Sequence, residues 1–307
     1  MEGKKASFGL SRLWTRRSRA QRAARASNQG SNEAASPELA ATRIGRAAPE
    51  LLGVLLCYND ADVLPDVIDH LLANGHEIIA WDHGSSDATS EVLDHYAGSL
   101  LERRLVPREF DFYKLYGAMS QHLIDNYAGR SSWISWPDQD EILEGPRRDR
   151  SYQEYVREVL ASPYDWVRFQ NFNFWVTAED DPGIASPTQR VRHYGLMGNC
   201  APRVRAWRAS VTNLREFNHN PLPGAQYPVL FNLRHYAART YEQLDRRILF
   251  DRAGLRRGNQ NWHYDGLREH LDQTRIPAAK LLRDDGVHDL VPSEIFDWQS
   301  IYTPSSG

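Results

Sequence analysis

Apolar runs of strand length, alternating with polar turns and helix-spaced segments, predict an α/β protein whose central sheet is mostly parallel and flanked by helices. Two observations carry this. Leu51, Leu52, Gly53, Val54, Leu55, Leu56 and Cys57 form an unbroken apolar run, as expected of a strand covered on both faces. Three more runs, residues 76–82, 99–107 and 133–136, each follow a helix-spaced stretch, and that alternation is the pattern of βαβ units. Past residue 146 the alternation weakens, so an irregular α+β half is expected there.

The elements follow in order. After the first strand, Tyr58-Asn59-Asp60 makes a polar turn, and Leu64, Val67, Ile68, Leu71 and Leu72 recur at helical spacing up to Gly75, a C-terminal stop. HEIIAWD, residues 76–82, is a second strand; HGSSDAT, residues 83–89, leads into a helix with Ser86 or Asp87 as its N-cap. A third strand ends at Pro107, a helix shows one face through Leu115, Ala118, Met119 and Leu123, and Trp133–Trp136 supply the fourth strand. Pro137, with no N–H to give, stops it. Tyr152, Tyr155, Val156, Val159 and Leu160 mark a further helix, and residues 164–176 alternate as a strand. Residues 177–224 read as loops. Thr240 with Gln243 is a capping box opening a helix that stops at Gly254.

The chain of 307 residues is 41% hydrophobic and 25% charged, ordinary values for a globular domain. A net charge of −3 excludes a nucleic-acid binder that works through its whole surface. Two cysteines, Cys57 and Cys200, exclude a disulfide framework or zinc cluster and make a reducing, cytoplasmic setting the expectation. No run has the roughly 18 apolar residues of a membrane span. Residues 1–30 carry eight Lys and Arg against Glu2, and residues 27–49 are rich in Ser, Asn, Ala, Gly and Pro. Residues 1–48 are therefore read as a basic solvated tail and linker, with a transit peptide or an arm for anionic lipid as the alternatives. The folded domain is expected at residues 49–283, with halves at 49–145 and 146–283, followed by a tail at 284–307.

The most informative stretch is WISWPDQDEIL, residues 133–143, which sets Asp138, Asp140 and Glu141 at the end of a strand. In an open α/β sheet, ligands bind outside the carboxyl ends of the strands. Two aspartates one residue apart suit a hard cation, Mg²⁺ or Mn²⁺, shared with substrate phosphates; an acidic solvated turn is the alternative. The aromatic run Phe172, Phe174 and Trp175 fits a core strand or a sugar-stacking surface. Arg-rich RRDR at 147–150 and RVR at 190–192 and 203–205 read as solvated faces or as holders of phosphate.

Taken together, LLCYND, WDHGSSDAT and WISWPDQDEIL, with LRHY at 233–236, resemble a GT-A fold glycosyltransferase of the family-2-like kind. No GxGxxG or P-loop follows the first strand, which sets aside a Rossmann dehydrogenase and a nucleotidyl-transfer site. The resemblance implies a metal-dependent, inverting transfer of a sugar from a nucleoside diphosphate sugar to a glycan or other hydroxyl acceptor. It implies that Tyr58, Asn59, Asp82, Ser85 and Asp138 hold the nucleotide sugar. It also implies that Asp138, Asp140 and His235 hold the metal, His219 being the competitor for the histidine. For the general base, Glu179, Asp180 and Asp181 stand as candidates, a solvated acidic loop being the alternative, with Glu141 and Glu216 also in play; Asp138 is counted with the catalytic residues through its place near the donor sugar. A non-catalytic sugar-nucleotide or glycan-binding protein on the same scaffold is the alternative function, and peripheral membrane contact through the basic tail is a further expectation.

Overall fold

The computed structural model describes residues 49–197, 202–214, 221–251, 274–292 and 295–296. Cys200, Glu216, His219, Gly254 and the basic tail 1–48 lie outside them. Among the described residues, eleven strands form one sheet. Its first half contains β1 (Leu51–Cys57), β2 (Glu77–Asp82), β3 (Leu100–Leu105) and β4 (Trp133–Ser135), all parallel and in spatial order β3-β2-β1-β4. The order reverses between β1 and β4, the kind of switch point where a crevice opens at the carboxyl edge.

Helices α1 (Leu64–Ala73), α2 (Thr89–His95) and α3 (Phe112–Tyr127) connect these strands. The apolar stripe of α1, Leu64, Val67, Ile68 and Leu71, packs with Leu55, Ile78, Phe172, Phe174 and Tyr236 on one face of the sheet. On the other, Tyr152, Tyr155, Val156 and Val159 of α4 (Tyr152–Leu160) pack on Leu51, Trp133, Phe169, Phe231 and Leu233. Phe172, Phe174 and Trp175 are therefore core residues. The N-cap of α2 is Ala88 rather than Ser86 or Asp87, although Asp87 Oδ1 accepts the Thr89 N–H at 2.9 Å just ahead of the helix. Gly75 ends α1 at φ 74°, a left-handed conformation in which glycine carries no Cβ penalty.

The second half contains more strand than its composition suggests. β5 (Glu141–Glu144) follows the acidic turn directly, and β6 (Trp166–Trp175) is long and central. The stretch expected as loops holds a short helix, α5 (Pro187–Arg190), with β7 (His193–Met197) and β8 (Arg203–Arg208). β9 (Phe231–Ala238) and α6 (Tyr241–Arg246) come next, then a π-helical turn, Arg247–Asp251. β10 (Leu282–Arg283) and β11 (Ile295–Phe296) both pair with β7, and Asp284 and Leu290 between them are buried.

One topological fact places the site. β8 runs antiparallel to both β4 and β6, which makes β6 parallel to β1 once more, and β9 is parallel to β6. The carboxyl ends of β1, β2, β4, β6 and β9 thus share one edge of the sheet.

Candidate functional site

The turns after β1 and β2 are tied to each other by short polar side chains. Asn59 is held at φ 54°, a conformation asparagine tolerates better than most residues. Its N–H donates to Ser85 Oγ at 3.1 Å, and its Oδ1 accepts the Ser86 N–H at 2.8 Å. Asp87 Oδ2 accepts the Ala61 N–H at 3.2 Å. Asp82, buried at the end of β2, takes the Ser85 N–H at 3.0 Å and its hydroxyl at 2.6 Å, both on Oδ1, while Oδ2 is buried without a partner. A buried carboxylate oxygen left in this way is an acceptor waiting for a donor.

Tyr58 forms the wall of this turn pair, and the Arg108 guanidinium sits 4.0 Å from its ring centre, a cation–π contact. His83 holds Arg108 from behind. Its Nδ1 lies 3.1 Å from Arg108 Nη1 and its Nε2 2.7 Å from the Phe110 carbonyl, so the proton is on Nε2 and the ring is neutral; burial also lowers its pKa. Sequence reasoning missed Arg108, since nothing in VPREF distinguishes it from a solvated arginine.

The acidic turn after β4 is built differently. Trp136 stacks on Tyr116 at 4.4 Å and donates its N–H to the Arg205 carbonyl of β8 at 2.7 Å. Arg205 is completely buried. Its Nη2 donates to Asp138 and, at 2.7 Å, to Glu141 Oε1. Glu141, likewise fully buried, accepts the Asp138 N–H at 2.8 Å; burial pushes its carboxyl up to about 7 against the pull of Arg205. Glu141 therefore fixes the turn that presents Asp138, whose side chain is 38% exposed.

Asp140 is 1% exposed and faces three nitrogens. Arg247 Nη1 lies 3.0 Å from its Oδ2, Arg239 Nη1 lies 3.8 Å from the same oxygen, and His235 Nε2 lies 3.6 Å from Oδ1. Burial alone would raise this carboxyl, but the Arg247 and Arg239 guanidinium charges beside it bring it well below the usual range. Arg239, completely buried, also forks onto Asp62 at 2.8 and 2.9 Å and onto Asp60 at 2.6 Å, and so binds the turn after β1 to β9. Gln139 donates to Asp60 at 2.5 Å, closing the link.

His235 stands opposite Glu141 in the β5–β9 register. Its Nδ1 is 3.0 Å from Asn173 Oδ1, an atom that can only accept, so the proton sits on Nδ1 and the Nε2 lone pair faces Asp140 Oδ1. Burial lowers this histidine to about 4 and keeps the ring neutral. A neutral imidazole nitrogen and a carboxylate oxygen 3.6 Å apart fit two neighbouring ligand positions on one divalent cation. The described residues contain no group of three or more His, Cys, Asp or Glu placed to hold a metal. A cation here would take its other ligands from phosphate oxygens and water, as hard cations in phosphate sites do.

Glu179 and Asp180 lie in the loop after β6, on the same sheet edge. Asp180 accepts the Thr177 N–H at 2.6 Å and its side chain is 4% exposed, so it secures its own turn. Glu179 is 67% exposed, 3.6 Å from His193 Nε2. The structure thus gathers Tyr58, Asn59, Asp82 and Ser85 into one cluster and Asp138, Asp140, Glu141 and His235 into another, while Glu179 and Asp180 sit in the loop after β6 with Thr177 and His193 as their partners. Like Arg108, Arg239 and Arg247 are residues the sequence did not single out. Arg205 lay in the second RVR run, read as a solvated face or as a holder of phosphate, and it holds carboxylates instead.

Residues 54–160 match the family model of glycosyl transferase family 2. A search of curated proteins gives no match. Among solved structures, the chain is similar to S. aureus TarS at 11% identity and TM-score 0.35, covering 73% of this chain and only 42% of TarS. Its 1–349 fragment in complex with UDP gives 10% identity and TM-score 0.34, covering 74% of this chain and 69% of the fragment. The mannosyltransferase PcManGT from Pyrobaculum calidifontis, in complex with GDP-Man and Mn²⁺, gives 14% identity and TM-score 0.37, covering 77% of this chain and 69% of that one. These overlays are too loose to place any residue. The match to glycosyl transferase family 2 thus falls on about a third of the chain, residues 54–160, which carry most of the β3-β2-β1-β4 parallel sheet of a GT-A-like α/β fold.

Proposed function

We propose that the protein transfers a sugar from a nucleoside diphosphate sugar to an acceptor hydroxyl with inversion, and that it uses a divalent cation, Mn²⁺ or Mg²⁺, held by Asp140 and His235 with Asp138 beside them. The observation that supports this best is the pairing of Asp140 Oδ1 with the unprotonated Nε2 of His235 at 3.6 Å, on the edge where β1 and β4 diverge. When bound, such a cation supplies Lewis-acid stabilisation to the diphosphate as it leaves. Tyr58, Asn59 and Ser85 shape the nucleotide slot, and Asp82 Oδ2 accepts a hydrogen bond from the base or ribose. Asp138 faces the donor sugar, held from below by Glu141 and Arg205.

Inversion requires the acceptor oxygen to attack the anomeric carbon from the side opposite the diphosphate while a carboxylate takes its proton. Glu141 is committed to Arg205 and to the Asp138 N–H, and Asp180 to its turn. Glu179, exposed in the loop after β6, is the carboxylate we assign to that proton. A peripheral membrane position through residues 1–48, in the cytoplasm, completes the proposal.

The second reading, a non-catalytic sugar-nucleotide binder, draws on Arg247 and Arg239, which already neutralise Asp140. One experiment separates the two. In thermal-shift assays with UDP, GDP, CDP and TDP, each with and without Mn²⁺, transfer predicts a metal-dependent rise in Tm with one nucleotide, lost in Asp140→Ala. A metal-independent rise that survives Asp140→Ala favours the binder. No rise with any nucleotide, in folded protein, overturns both.

A further inference from the structure

The metal and nucleotide assignments leave one ion pair without a task, that of Arg247 with Asp140. Arg247 opens the π-helical turn that follows α6, a rare kind of turn often found at functional sites. Its Nη1 donates to Asp140 Oδ2 at 3.0 Å and to the Ala237 carbonyl at 3.1 Å, and 12% of its side chain stays exposed. His235 Nε2 faces the other oxygen of that carboxylate, Oδ1, at 3.6 Å. A cation seated between Oδ1 and Nε2 therefore shares Asp140 with a guanidinium already in place.

The charge around Asp140 is nearly balanced before any ligand arrives. Arg203 lies 3.5 Å from Glu141 Oε1, and Arg205 pairs with Glu141 and with Asp138. Arg239 serves Asp62 and Asp60 and lies 3.8 Å from Asp140 Oδ2. With Arg247, these described residues set four guanidiniums against five carboxylates, around a neutral His235. A bare divalent cation makes the cluster positive, and excess charge is costly where Arg205, Arg239, Asp140 and Glu141 are all out of solvent. A cation that comes with a diphosphate brings negative charge with it. Arg247 weighs most on this balance, since at 3.0 Å it is the guanidinium nearest to Asp140, and it repels the cation while attracting the diphosphate.

We propose that Arg247 decides how the site fills: it weakens the hold of Asp140 and His235 on a bare cation, so that metal enters with the diphosphate rather than ahead of it. Arg247 is thus a positioning residue that acts through Asp140. This role rests on the metal site of the glycosyl-transfer reading, and the test keeps the two apart.

Calorimetric titration of the full chain compares Mn²⁺ alone with UDP and GDP in excess Mn²⁺. Wild type binds one nucleotide in Mn²⁺ about tenfold or more tightly than it binds Mn²⁺ alone. In Arg247→Gln the affinity for Mn²⁺ alone rises about tenfold or more, while that for the nucleotide in Mn²⁺ does not rise. Arg247→Lys, which keeps the charge, holds both within about threefold of wild type. A folded Gln variant with no gain for bare Mn²⁺, or with an equal gain for the nucleotide, overturns the proposal. So does a gain that persists when Asp140→Ala is added, since the cation then lies elsewhere. Should Arg247→Gln fail to fold, wild type decides alone: bare Mn²⁺ bound as tightly as the nucleotide in Mn²⁺ overturns the role. A wild type that binds nucleotide with no help from Mn²⁺ sinks the metal reading itself, and the role of Arg247 with it.

Discussion

The turns after β1 and β2 and the turn after β4 lie on the same sheet edge, yet they are fixed by different physics. Asn59, Ser85, Ser86 and Asp87 lock the first pair through short hydrogen bonds between small side chains and backbone N–H groups. The acidic turn is fixed by arginines that have left solvent completely: Arg205 on Asp138 and Glu141, and Arg239 near Asp140, which also ties that turn to Asp60 and Asp62 after β1. Neutral hydrogen bonds add modest stability and are cheap to lose. A buried ion pair contributes little net stability while intact but is expensive to break, because the surviving charge has no water. The nucleotide side is therefore tolerant, and the acidic side is brittle.

That contrast can be broken at graded points. Arg239→Ala leaves Asp60 and Asp62 without their cation, and a loss of about 3–5 kcal/mol in urea unfolding is expected; a loss under about 1 kcal/mol would show that water reaches the cluster and that the acidic side is not brittle. Next comes the pair Arg205 and Glu141. Each single replacement, Arg205→Met or Glu141→Leu, should cost more than the double variant does, since the double leaves less charge unpaired; a double variant that costs the sum of the singles removes the coupling. The smallest effect belongs to the other side. Asn59→Gly keeps the left-handed backbone and loses only the side-chain bonds, so it should cost about 1 kcal/mol or less in the same assay. A larger cost there would erase the distinction between the two regions.

The two regions also differ in how far a reader of the sequence can see them. β1 to β4 are legible because a strand covered on both faces writes itself as an apolar run, and GSSDAT is legible because its Asp82–Ser85 and Asp87–Thr89 bonds are made within a few residues. Asp138 and Asp140 announce themselves by spacing at a strand end. Their partners do not: Arg205 is 67 residues from Asp138, and Arg247 is 107 from Asp140. β8, RVRAWR, has charged residues at alternate positions and looks solvated, while Arg205 in fact turns inward to carboxylates that only the fold brings near. β5 and β7 are too short to assert a period. The RRDR run has the same history, since Arg148 pairs with Asp284, 136 residues away. At α6 the capping box is half right: Thr240 Oγ1 accepts the Gln243 N–H at 3.0 Å, but the Gln243 side chain reaches the Arg239 N–H at 3.2 Å.

Because β8 lies between β4 and β6 and brings Arg205 with it, the acidic turn has a history in time as well as a place in space. The first four strands can pair through neighbouring segments as they emerge. Asp138 acquires its guanidinium only after some seventy further residues have been made and β8 has inserted, a long-range closure of the slow kind. Competence to hold an anionic ligand thus arrives late, and a nascent chain stopped before β8 would carry the DQDE turn without the strand that steadies it.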